Sequence, residues 1–117
     1  MNDRPLTPVD IEVKLHNLSA DLDSVYGELK DAEYQYYTSK AAMEIGMAQA
    51  FLDIDMTKKV TVAEKDALVR ERSADLIRDH AIANALVNAS RKNFDRIKTQ
   101  IEITRSQGSI IKTSMEM

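Results

Sequence analysis

From Ile11 onward, apolar or small residues recur at alternating steps of four and three: Ile11, Leu15, Leu18, Leu22, Val25, Leu29, Ala32, Tyr36, Ser39, Met43, Gly46 and Ala50. That rhythm, held for about five heptads, is the seam of a coiled-coil-like helix. Thr7-Pro8-Val9-Asp10 supplies a start, with a capping threonine, a proline suited to the first helical position and an acid in the first turn. The pattern predicts helix one over about 8–54. Mixed charges without a sustained stripe between Asp53 and Lys59 predict a turn over 55–61. Thr61-Val62-Ala63-Glu64 then matches a capping box, in which threonine and glutamate each accept from the other's amide. Helix two follows over about 62–107, with its stripe through Val69, Leu76, Ala83, Val87, Phe94, Ile97, Ile101 and Thr104. Gly108 stands where a terminating glycine would, leaving a tail over 108–117.

Two helices of similar length joined by a short turn are neighbours only if they run antiparallel. The predicted fold is therefore all-α: one domain over 1–117, a long antiparallel two-helix hairpin, coiled-coil-like, with a short C-terminal tail. Composition agrees, because glycine (3) and proline (2) are scarce and the β-branched and aromatic runs of strands are missing. Small residues at Ala32, Ser39 and Gly46 predict a close approach of the partner backbone. Charge favours the same pairing. Residues 10–33 carry seven carboxylates against two lysines, while residues 91–112 carry six cations against two carboxylates, and a hairpin sets those stretches side by side.

A lone hairpin has a narrow core with which to offset its chain entropy. Between Ala74 and Ala89 the apolar residues also spread around the helix, and Tyr26, Tyr34, Tyr37, Met47 and Phe51 lie off the first seam. A helix that is apolar on several sides needs more than one neighbour. These features predict a homo-oligomer, packed as a helical bundle or ring through Tyr36, Tyr37, Leu76, Ile77, Ile82 and Leu86. A monomer whose tail folds back as a third helix is the alternative.

Candidate chemistry is sparse. Glu12 and His16 are one turn apart and Asp79 adjoins His80, but a histidine beside a carboxylate on a helix is more often a surface contact than a metal site. Three isolated glycines make no phosphate loop, and no nucleophile with an oriented base can be assembled. The expectation is no enzyme, no metal and no cofactor. Cysteine is absent, the N-terminus has no apolar stretch of the signal-peptide kind, and no run approaches 18 apolar residues. The chain is accordingly expected in a cytoplasm, that of the host cell if a phage encodes it, and away from membranes.

The basic set Arg91, Lys92, Arg96, Lys98, Arg105 and Lys112 is the main functional lead. Arg91, Lys98 and Arg105 are seven apart, so they line one flank of helix two and match a phosphate backbone. The competing reading pairs these cations with the acidic stretch of helix one. The stretch Arg105-Ser106-Gln107-Gly108-Ser109-Ile110-Ile111-Lys112 resembles the C-terminal end of phage recombination mediator proteins of the UvsY type, small helical proteins that end in a basic helix, a glycine and an Ile-Lys pair. The resemblance implies an oligomer that binds single-stranded DNA and helps to load a recombinase, with Arg105 and Lys112 among its contacts. A helical protein–protein interaction module, such as a phage adaptor, structural or host-inhibitory protein, is the alternative from a different class.

Overall fold

The computed structural model describes residues 5–57 and 59–116. They form three helices and no strand: α1 (Pro8–Thr57), α2 (Val62–Arg72) and α3 (Ala74–Glu116). The protein is all-α, with helical arms paired antiparallel as the heptads require. Lys58 of the expected turn and Met117 of the expected tail lie outside the described residues.

The helix ends follow local chemistry. Thr7 N–H donates to Asp10 Oδ2 at 2.9 Å and Asp10 N–H donates to Thr7 Oγ1 at 3.2 Å, a closed capping box at the start of α1. At α2, Glu64 N–H donates to Thr61 Oγ1 at 3.2 Å, so one half of the expected box is formed. α1 runs past position 54 to Thr57 because no glycine or proline stops it.

Two further boundaries differ from the expectation. Helix two is interrupted at Ser73, yet Ser73 N–H still reaches Val69 O at 3.0 Å and Ile77 N–H reaches Ser73 O at 2.9 Å. The backbone ladder therefore continues through a single distorted residue, which is buried. At the other end, α3 passes through Gly108 to Glu116 and there is no separate tail over the described residues. A Cβ at Gly108 would lie 3.1 Å from Ile11 Cγ2. This glycine makes room for a side chain of α1, and a left-handed residue is absent because its φ is negative.

The chain divides into two compact units. One holds the described residues up to Leu29 together with those from Ser90 onward. In it, Leu18 of α1 packs with Ile97 and Ile101 of α3, flanked by Leu15, Leu22 and Val25. Burying each such aliphatic side chain stabilises by about 1.5–3 kcal/mol. Thr104 is fully buried on the same seam, its Oγ1 donating to Gln100 O at 2.8 Å, so the hydroxyl is satisfied within its own helix.

The second unit is Lys30–Ala89. Ala50 and Ile54 of α1 pack with Val69 of α2, with Met47, Val60 and Leu68 around them. The small seam residues admit side chains, where a close approach of backbones was expected. Gly46 leaves the space that Leu76 Cδ1 occupies, and Ser39 Oγ lies 3.1 Å from His80 Nδ1. Large residues of α3 enter gaps in α1, which is how knobs fill holes in a coiled coil.

Candidate nucleic-acid interface

In the unit that contains Ser90 onward, the inward stripe of α3 is Ser90, Phe94, Ile97, Ile101, Thr104, Gly108 and Ile111, all buried or half-buried. One position along from every second member of that stripe stands a cation: Arg91, Lys98, Arg105 and Lys112, all exposed. Steps of seven along a helix advance about 10.5 Å and return to nearly the same side. The four cations therefore form one row along one flank of the seam, with Lys92 and Arg96 exposed on the outer surface of the same stretch.

Ser19 and Leu22 share a shallow groove of about 210 Å³ with Lys98, Ile101, Glu102 and Arg105. The acids Asp21 and Glu28 of α1 occupy the positions before Leu22 and Leu29, on the opposite flank of its seam. An antiparallel pair brings like flanks together, so Asp21 and Glu28 are on the side away from the basic row, whereas Glu12, seven residues before Ser19, shares the side of the row. Asp95 and Glu102 follow Arg91 and Lys98 by one turn but close no ion pair. Among the described residues, no carboxylate pairs with any of the six cations. Charge alone thus favoured the antiparallel pairing at long range, while the register closes no direct ion pair to these cations among the described residues.

An aromatic pair adjoins the row. Tyr26 of α1, 48% exposed, has its ring centroid 6.0 Å from that of Phe94, and Lys98 Nζ stands 5.4 Å from the Phe94 centroid. A cation over an aromatic face is a favourable contact. The seam reading placed Phe94 in the core and Tyr26 off it, and so missed the pairing. Assigning each residue to a flank would have found it.

The residues expected at an oligomer interface fall into two groups. Tyr36 packs on His80 (centroids 5.0 Å apart) and edge-on to Tyr37 (5.2 Å), and Leu76 fills the space over Gly46, so both are engaged inside their unit. Ile77 is half-buried. Tyr37, Ile82 and Leu86 are 61%, 53% and 49% exposed.

No protein-family model matches this chain, and no curated protein and no solved structure matches it either. The C-terminal likeness to the UvsY type therefore stands on its own residues. Arg105 and Lys112, the two cations it carries, belong to the exposed row, and Gly108 between them lies on the inward side of α3. Among the described residues, no three histidine, aspartate or glutamate side chains gather as a metal would require. No helix there is long and apolar enough to cross a membrane.

Proposed function

We propose that this protein is a non-enzymatic, self-associating accessory factor that binds single-stranded DNA along the row Arg91, Lys98, Arg105 and Lys112, with Lys92 and Arg96 beside it. The observation that carries this reading is that the row has no carboxylate ion-pair partner among the described residues. An aligned row of cations left in water attracts a polyanion, and releasing the polymer's counterions drives the binding. Tyr26, exposed beside the row, adds a ring face on which a base can stack, a contact that single strands offer and paired strands withhold. Handing the bound strand to a recombinase is what the UvsY-type likeness of 105–112 adds.

The test is a titration of a labelled oligonucleotide at two salt concentrations. Binding that weakens steeply with salt, and is strongly reduced in Arg91→Ala/Lys98→Ala/Arg105→Ala, supports the reading. No binding at low salt removes it. The remaining reading is then a helical protein–protein interaction module, favoured by the exposed apolar side chains Tyr34, Tyr37, Ile45 and Leu52.

A further inference from the structure

Within Lys30–Ala89, α1 carries a second apolar stripe that its own hairpin does not cover. Tyr34, Tyr37, Ala41, Ile45, Ala48 and Leu52 follow one another at steps of three and four, and all six are exposed. At about 3.6 residues per turn they fall within an arc of about 80°, almost directly opposite the inward seam of Tyr36, Ser39, Met43, Gly46 and Ala50. The large members are well out in water: Tyr34 is 73% exposed and Leu52 60%. From Tyr34 to Leu52 the only charged residues are Lys40 and Glu44, whereas the preceding part of α1 is dense with acids.

The stripe is nearly a palindrome about Met43. Tyr34 and Leu52 are equally far from that centre, as are Ala41 and Ile45, and Tyr37 and Ala48 differ by one residue. An antiparallel copy of the same helix would therefore set large against small at Ala41–Ile45 and at Tyr37–Ala48. It would close on Tyr34–Leu52 at both ends. Lys40 and Glu44 lie together on one flank of the stripe, both exposed and not paired with each other. A two-fold axis brings that flank against its own copy, so Lys40 of each chain meets Glu44 of the other. Apolar matching and charge matching thus select the same partner in the same orientation.

We infer that this face of α1 is a self-association surface, on which a second copy of the chain docks antiparallel about a two-fold axis beside Met43. An isologous contact of this kind closes after two copies, because each stripe uses the whole of the other. The inference deepens the self-association within the proposed function and rests on that part alone. An oligonucleotide that fails to bind leaves it standing, and a chain that never self-associates overturns it while leaving the basic row in place.

The experiment uses the full chain, which has no cysteine of its own. Light scattering at micromolar concentration is expected to give at least twice the chain mass for the native protein, and a smaller assembly for Ala41→Glu/Ile45→Glu. Both substitutions fall on exposed positions, so far-UV circular dichroism should be unchanged. Lys40→Glu should weaken self-association by about tenfold, and adding Glu44→Lys to the same chain should restore it. A mixture of Ala41→Cys and Ile45→Cys chains, oxidised, should give more disulfide-linked dimer than either alone. A native chain of single mass, an assembly indifferent to Ala41→Glu/Ile45→Glu, no rescue by the double charge swap, or no gain in the mixed disulfide would each overturn the inference.

Discussion

Gly46 of α1 lies beneath Leu76 of α3, and a Cβ on the glycine would collide with Leu76 Cδ1. The chain gives up a side chain, and the helix propensity that goes with it, to seat a leucine. Gly27, by contrast, has nothing within 4 Å of a Cβ built there. Gly27→Ala should raise stability by about 0.5–1 kcal/mol, the ordinary gain from removing an interior helical glycine. Gly46→Ala should gain less, because the new methyl must displace Leu76 Cδ1, the free end of a half-buried side chain, and that shift offsets part of the same helix-propensity gain. Urea unfolding followed by circular dichroism compares the two gains, and Gly46→Ala should stabilise more in a Leu76→Ala background than in the native chain.

Ile54 and Thr104 occupy similar depths, at 1% and 0% exposure, but should respond differently to truncation or replacement. Ile54→Ala leaves a cavity beside Ala50 and Val69 and should cost about 2–5 kcal/mol. Thr104→Val keeps the shape and removes a hydroxyl whose bond runs to Gln100 O, a carbonyl of its own helix, so the change should stay within about 1 kcal/mol. Equal losses in the two variants would contradict the packing described here.

Ser39 is a polar residue on the seam with two partners. Its hydroxyl donates to Tyr36 O at 3.0 Å, so its oxygen is left to accept from His80 Nδ1–H at 3.1 Å. Ser39→Ala strips a half-buried imidazole of its acceptor and should cost about 1–3 kcal/mol. The nitrogen chemical shifts of the His80 ring should also change, since the hydrogen bond selects which ring nitrogen carries the proton. An unchanged tautomer would show that Ser39 does not orient this ring.

For the basic row, the salt dependence is more diagnostic than affinity. Removing three phosphate contacts in Arg91→Ala/Lys98→Ala/Arg105→Ala should make the slope of log K against log salt shallower by about 2 for a single strand. Tyr26→Ala should weaken single-strand binding by about 1–3 kcal/mol per stacked base while leaving the salt slope unchanged. A loss confined to duplex DNA would contradict the stacking role of Tyr26.

Much of this architecture is legible along the chain because it is written in local terms. The four–three rhythm of α1, the Thr7-Pro8-Val9-Asp10 start and the Thr61 cap depend on residues within one or two turns of each other. Antiparallel pairing follows from the short connection. Gly108 was misleading for a clear reason: a glycine after an apolar stripe ends a helix when it turns left-handed, and admits a neighbour when it does not. The choice depends on Ile11, ninety-seven residues away. Ser73, where helix two is interrupted, likewise carries no breaker signal along the chain.

The amino-acid order by itself determined that the chain is helical, where its seam lies, and that cations gather toward one end and acids toward the other, because periodicity and composition are properties of consecutive residues. Tertiary structure alone decided which flank faces which. It set Lys98 and Arg105 beside Ser19 and Leu22, brought Tyr26 to Phe94, and left the outer stripe of α1 in water. A side chain's neighbours across a helix pair are fixed by register and rotation, which emerge only when both surfaces pack.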